Sequence, residues 1–458
     1  MEREERDSYF PSDSDLDLSF TSYTSNASTD RTFASSSARS SLSVADPIRV
    51  LSEGQRRRHS ESDPRWLAIV AAINISSHGV LQLHHLKLLR RLGSGNLGRV
   101  FHCQLKDFED ADFALKVVDR DALSSKKLAQ ARTEASVLSL LDHPFLPTLY
   151  AQLEVSHYSC LLIDYCARGD LHSLMRARPG NRFTLATARF YAAEVLLALE
   201  YLHCKGIVYR DLKPENILVR ADGHIMLSDF DLCFQADVVP TVESLDVVTP
   251  DDGNFQCDCF GRRRRRTTEV ESEIVVEPTQ AYSTSCVGTH EYLAPEVVNG
   301  KGHGSGVDWW AFGVFLYEML YGRSPFRGAS KEATLCNIHT KGLRFPDADA
   351  SAAKEEGMTE AKDLIERLLV KDPRRRLGCA RGAAEIKRHP FFTGINWPLI
   401  RSYKPPGIRT SSSRDVRVSS GIEGKRRRRW PLRRVWHYSN KRFQQVLNRK
   451  NTMGGKRS

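Results

Sequence analysis

The sequence predicts an α+β fold in two lobes, strand-rich first and helix-rich second. Three observations predict it. Between about residues 86 and 166 the apolar residues fall in short strand-like runs, with one helical stretch among them. Beyond Asp170 the 3.6-residue period of helices dominates. Nowhere do strand and helix alternate in the regular way a parallel βαβ sheet demands. Length and composition agree. At roughly 150 residues per domain, 458 residues make about three domains or one large two-lobed domain with extensions. With 41% hydrophobic and 27% charged residues, the chain is too apolar to be wholly disordered.

Residues 1–63 are rich in Ser, Asp and Thr and poor in aromatics, so they cannot bury enough surface to offset ordering, and a disordered arm is expected. From Leu86, LKLLRRLGSGNLGRVFHCQL reads as strand, Gly-rich turn and strand. FALKVVDR (113–120) reads as a third strand, 124–141 as a helix, and CLLIDYC (160–166) as another strand. ATARFYAAEVLLALEYLHCKG is an Ala/Leu/Glu-rich helix with a stop at Gly206. Residues 235–281 show no sustained period and read as an unstructured functional insertion. Globular pattern resumes at SCVGTHEYLAPE and runs to HPFF at 389–392. Residues 393–458 read as a basic, largely disordered tail.

That tail explains the formal charge of +11: it holds 18 Lys+Arg against 2 Asp+Glu, a balance of +16, which leaves the rest of the chain at −5. There is no apolar leader after Met1, no run of about 18 apolar residues and no lipidation signal at either end. The ten cysteines lack framework spacing, which suits a reducing compartment. An intracellular protein is expected.

The chemistry begins at Gly93-x-Gly95-x-x-Gly98-x-Val100. By itself this pattern also describes a dinucleotide fingerprint, but there a helix follows the glycines. Here strand-like sequence follows, so the loop joins two strands and would cover phosphates as a flap. Ala114-Leu115-Lys116 sets a lysine in the third strand, where its ammonium can meet the α- and β-phosphates of ATP. A half-buried lysine needs a carboxylate, and Glu134 in the next helix is suitably placed. Tyr209-Arg210-Asp211-Leu212-Lys213-Pro214-Glu215-Asn216 and Asp229-Phe230-Asp231 complete the set. Asp211 would take the proton of an acceptor hydroxyl and Lys213 would stabilise the transferred phosphoryl group. Asn216 and Asp229 would give oxygen ligands to Mg²⁺. Glu296 and Arg376 form a further expected pair.

On these motifs residues 86–392, about two-thirds of the chain, resemble a eukaryotic protein kinase domain. Lys213 and Thr289 look like the Ser/Thr branch. Asp231 in place of the usual glycine, the long insertion, and segments such as VGTHEYLAPE and LLVKDPRRRLGCARGA are similar to plant AGC-VIII kinases of the PINOID/WAG group. The resemblance implies ATP and Mg²⁺. It implies a nucleotide site at Leu92, Gly93, Ser94, Gly95, Asn96, Leu97, Gly98, Arg99, Val100, Lys116, Asp164 and Cys166. It further implies PIN-type auxin efflux carriers as substrates, acting in auxin transport and organ patterning, with Asp170, Glu215 and Glu318 meeting arginines upstream of the phosphoacceptor.

Ser285, four before Thr289, matches the activation phosphosite of AGC kinases, whose phosphate would pair with Arg210. An upstream activating kinase is therefore expected, although no Phe-x-x-Phe docking segment stands near the C-terminus. Asp231 would sit where a left-handed glycine is usual, giving a stiffer loop. The rival is a pseudokinase scaffold, which the survival of Lys116, Asp211, Asn216 and Asp229 opposes. The basic run Lys425–Trp436 interleaves cations with tryptophans, and Arg262–Arg266 follows Cys257 and Cys259, candidates for S-acylation. Peripheral plasma-membrane attachment of a monomer is expected, with nuclear import or nucleic-acid binding as the lesser reading.

Overall fold

Residues 86–164 build one antiparallel sheet of five strands in the order β1-β2-β3-β5-β4. The strands are β1 (Leu86–Ser94), β2 (Arg99–Leu105), β3 (Phe108–Asp119), β4 (Leu149–Val155) and β5 (Tyr158–Asp164). Strand β4 is absent from the sequence-level expectation because its LYAQLEV run carries little β-branching; burial of Leu149, Tyr150 and Leu153 holds it in the sheet. Helix α2 (Ser125–Leu140), capped by the Ser124 hydroxyl, crosses beside the sheet and buries Glu134. This computed structural model describes residues 63–406, apart from 77–78, 156, 239, 247–269, 279 and 347–355. The N-terminal arm up to residue 62, the two arginine-rich runs, Cys257 and Cys259 lie outside the described residues.

One helix was not anticipated. α1 (Pro64–Ile75) starts with Asp63 accepting from the Arg65 N–H at 3.0 Å, and Pro64 takes the first turn, where a missing N–H costs nothing. It lays Trp66 and Ile69 into the small-lobe core with Phe113, Leu115, Val117, Tyr150 and Leu162. Asp63 thus belongs to the folded lobe and not to the arm.

The large lobe is helical. α3 (Leu171–Arg176) leads to α4 (Leu185–Cys204), which ends at left-handed Gly206 (φ +74°). α4 packs on α6 (Gly306–Tyr321), whose Trp309, Trp310, Phe312 and Phe315 are all fully buried. Helices α5 (Pro295–Val298), α7 (Lys331–Thr340), α8 (Met358–Leu368) and α9 (Gly382–Lys387) complete it. The short strands β6 (Ile207–Val208), β7 (Ile217–Val219), β8 (Ile225–Leu227) and β9 (Phe234–Gln235) pair as β6-β9 and β7-β8 and frame the loops that face the small lobe.

Two boundaries differ from the sequence reading. Within 235–281, β10 (Thr241–Asp246) and β11 (Val270–Val275) pair antiparallel, Thr241 opposite Val275 and Asp246 opposite Val270. Six-residue legs more than twenty residues apart leave no local period; only their pairing across the insertion defines them. The tail's first residues, 393–406, belong to the large lobe: Ile400 is 3% exposed and Arg401 meets Asp222 at 2.5 Å. The eight described cysteines are free thiols. No helix among the described residues is long and apolar enough to cross a membrane.

Candidate active site

The roof of the site is the turn between β1 and β2. Gly95 donates its N–H to the Gly98 carbonyl at 3.0 Å, closing the turn. Gly98 is the glycine that the packing requires, since a Cβ there would come within 2.2 Å of the Val117 carbonyl oxygen. Gly93 and Gly95 face open space, and Leu92, Ser94, Asn96 and Arg99 are exposed while Leu97 is tucked in. Beneath the turn, β3 places Lys116 between Val100 of β2 and Leu161 of β5. Its ammonium bonds Glu134 of α2 at 2.5 Å and Asp229 at 3.3 Å. Burial alone would lower the lysine's proton affinity, but Glu134 and Asp229 outweigh it and hold the ammonium above the usual lysine range.

The floor is the loop between β6 and β7. Asp211 is 5% exposed, and its Oδ2 accepts from Lys213 Nζ at 2.6 Å and Asn216 Nδ2 at 2.8 Å. Its Oδ1 accepts from the Thr289 N–H at 3.1 Å and the Thr289 hydroxyl at 2.9 Å. Lys213 also reaches Thr289 Oγ1 at 2.7 Å. Arg210 and Asp229 both adopt left-handed backbone, φ +66° and +60°, a conformation costly for residues with side chains and common at functional loops. The Arg210 and Tyr209 N–H groups donate to Asp308 of α6 at 2.7 and 2.8 Å.

A roof closing over a lysine–glutamate pair, above a floor of aspartate, lysine and asparagine, suits transfer of a phosphoryl group from a bound nucleotide. Comparison with known proteins agrees. The protein kinase domain family matches residues 86–250 and 269–392. The serine/threonine-protein kinases WAG1 and WAG2 of Arabidopsis thaliana are 59% and 58% identical, each over 88% of this chain and over 87% and 85% of their own length. Protein kinase PINOID of rice (Oryza sativa subsp. japonica) is 50% identical over 77% of this chain and 75% of its own. The chain belongs to the serine/threonine protein kinases, in the PINOID/WAG group. As a protein kinase it uses ATP with a divalent metal and acts on protein substrates.

The kinase brings Lys116, Glu134, Asp211, Lys213, Asn216 and Asp229 to one cleft, and Arg376 clasps Glu296 through two bonds of 2.6 and 2.9 Å. The donor set fits a nucleotide-bound metal. Asn216 spends its Nδ2 on Asp211, at the main-chain oxygen and at Oδ2, so its amide oxygen is what it can offer a cation. Asp229 is half-exposed toward the cleft. Among the described residues no group of three His, Cys, Asp or Glu side chains forms a metal cage.

Several expectations change. The Asp164 carboxylate is engaged within the protein, accepting from the Thr148 N–H at 2.7 Å and pairing with Arg65 at 2.7 Å. Cys166 is half-buried with its thiol 3.7 Å from the Met226 sulfur, and burial pushes that thiol up to about 12. Asp170 caps α3, accepting from the Ser173 N–H at 2.7 Å and hydroxyl at 2.9 Å. Glu215 and Glu291, the latter missed by sequence reasoning, stand near enough to Glu318 for their charges to act on its carboxyl. Burial, with Glu215 and Glu291 adding to it, pushes the Glu318 carboxyl up, against the bond it accepts from the Tyr292 hydroxyl. Ser285 is exposed, as a phosphosite must be; Arg210, the partner expected for its phosphate, bonds the Ser283 hydroxyl at 3.1 Å and the Leu232 carbonyl at 2.7 Å in this unphosphorylated chain.

Asp231 is not left-handed; the strain sits at Asp229, two residues earlier. Its carboxyl is raised to about 6 by burial and by Asp229, so the glycine's replacement adds a carboxylate to the cleft without needing the glycine's dihedrals.

Proposed function

We propose that this kinase transfers the γ-phosphate of Mg-ATP to Ser/Thr hydroxyls in basic sequences of PIN-type auxin efflux carriers, and so regulates auxin transport and plant organ development. The chemistry rests on one observation, the Asp211 carboxylate held by four donors at the cleft floor. In this reading an acceptor hydroxyl oxygen attacks the γ-phosphorus, the bond to the ADP oxygen breaks, and Asp211 receives the hydroxyl proton. Lys213, bonded to both Asp211 and Thr289, stabilises the phosphoryl oxygens. Lys116, oriented by Glu134, holds the α- and β-phosphates beneath the glycine turn. Asn216 and Asp229 would hold Mg²⁺, which neutralises the charge on the phosphates.

The auxin-carrier substrate is supported by the PINOID/WAG resemblance and by the Glu215, Glu291 and Glu318 carboxylates, which favour arginines near the phosphoacceptor. Ser285, exposed ahead of Thr289, is the phosphosite an upstream kinase would use. The basic tail beyond residue 406 and the arginine cluster of the insertion would attach the enzyme peripherally to the plasma membrane as a monomer, with a cytoplasmic pool.

The test is Mg-ATP phosphotransfer by wild type and Asp211→Asn protein, on the hydrophilic loop of a PIN-type carrier and on a generic basic peptide. Transfer to both acceptors by wild type alone supports the whole reading. Transfer to the peptide but not the carrier loop refutes the substrate. Inactivity of the wild type on both, with an upstream kinase supplied, would favour a non-catalytic scaffold.

A further inference from the structure

The returning leg of the insertion ends in a buried carboxylate that the chemistry above does not use. Glu277, just past β11, is 6% exposed. Its Oε2 bonds His203 Nδ1 at 2.8 Å, and its Oε1 accepts the Ala383 N–H at 3.3 Å. Room for it exists because residue 382 is glycine, where a Cβ would stand 1.7 Å from Glu277 Oε1. His203, in the last turn of α4, is 0% exposed, and its other nitrogen bonds Asp308 Oδ2 at 2.9 Å. Asp308 in turn accepts the Tyr209 and Arg210 N–H groups, and Arg210 is the left-handed residue directly before Asp211.

Chemistry makes this chain directional. Both ring nitrogens of His203 face carboxylates, which only accept, so both must donate and the ring is an imidazolium. A buried imidazolium between two carboxylates is stable only while both are present. Burial would discharge it, but Glu277 and then Asp308 hold it at about 10. The groups facing the ring are Glu277, Asp308 and the edge-on indole of Trp309.

We infer that Glu277 is a positioning residue for the catalytic loop: through His203 and Asp308 it holds the left-handed turn at Arg210 from which Asp211 projects. It makes the geometry of Asp211 depend on the seating of the insertion's returning leg. The inference rests on Asp211 being the catalytic carboxylate.

The test compares full-length wild type, Glu277→Gln and Asp211→Asn with Mg-ATP and a basic peptide from pH 6 to 9. It adds melting temperatures and the imidazole NMR signal of His203. Gln at 277 keeps size and polarity but cannot hold the imidazolium. At pH 8 the Glu277→Gln protein should lose about 10-fold in kcat, the scale of a small misplacement of a reacting group, with the KM for ATP within about two-fold. Its His203 should titrate inside that pH range, and kcat should recover toward wild type as the ring is charged at pH 6. A kcat equal to wild type at every pH while His203 titrates would overturn the inference. So would a kcat loss that tracks the melting temperature and ignores pH, since that marks a packing role. If Asp211→Asn matches wild type, the catalytic reading itself fails; if Asp211→Asn is inert and Glu277→Gln is normal, only the Glu277 inference fails.

Discussion

The roof and the floor of the cleft carry matching lysine–carboxylate pairs, Lys116–Glu134 at 2.5 Å and Lys213–Asp211 at 2.6 Å, yet they are built to opposite rules. The roof is lightly held. Its exposed turn is closed by the Gly95–Gly98 main-chain bond, and a side chain at Gly93 or Gly95 would meet nothing within 4 Å. The floor is over-determined: each carboxylate oxygen of Asp211 has two donors, and the strained residue before it is tied to a buried aspartate in α6. The difference follows from the task. A flap must open for nucleotide and product, so binding energy and not preformed contacts should close it. A proton acceptor must be within a fraction of an ångström of its place before the substrate arrives, so its contacts are made in advance.

Breaking the floor should have the largest effect. Asp211→Asn keeps the shape and removes the proton acceptor, and kcat should fall about 10³-fold in steady-state phosphotransfer. A loss under ten-fold would mean that the floor matters less than its bonding suggests. Lys116→Met comes next: kcat should fall about 10²-fold, and leaving Glu134 buried without its cation should cost about 3 kcal/mol in a denaturant titration without nucleotide.

Two glycine changes sharpen the contrast within the roof. Gly98→Ala forces a Cβ against the Val117 carbonyl, so β2 and β3 must part, at about 1–3 kcal/mol and about a ten-fold rise in the KM for ATP. Gly95→Ala meets open space, and both quantities should stay within about two-fold of wild type. Equal penalties would show that the turn's freedom, and not the close approach at Gly98, is what the glycines provide.

The smallest effect concerns His303, which exchanges main-chain bonds with Ser283 beside Arg210. Burial, then Arg210, depresses its proton affinity to about 4, from an ordinary value near 6.5. The unfolded chain therefore binds the extra proton first. Stability present above pH 6.5 is lost as pH falls toward 4. His303→Asn should flatten that acid limb, by about 2 °C in melting temperature at pH 5, and leave pH 8 unchanged. An unaltered limb would show that other groups set it.

Much of the molecule was legible in its sequence. Strand and helix order follow from hydrophobic period, and the residues that meet in the cleft from motifs whose spacing reflects loops of fixed length between short strands. Lys116 needing a carboxylate is elementary electrostatics, and Glu134 lay within reach on the next helix. Helix α1 carries a local signal, Asp63-Pro64 at its N-terminus. What sequence could not settle were contacts between residues far apart in the chain. Arg65 takes the Asp164 carboxylate across 99 positions, Ser283 and not Ser285 stands against Arg210, and Asp170 turns to its own helix end. The same holds for Glu277: in sequence it is one acid in an aperiodic insertion, and only the fold sets it against a histidine 74 positions away. Local propensity and motif spacing are properties of a few neighbouring residues and can be read in order. Which of several equivalent carboxylates or hydroxyls loses its water, and to whom, is decided by burial, and burial exists only once the lobes have packed.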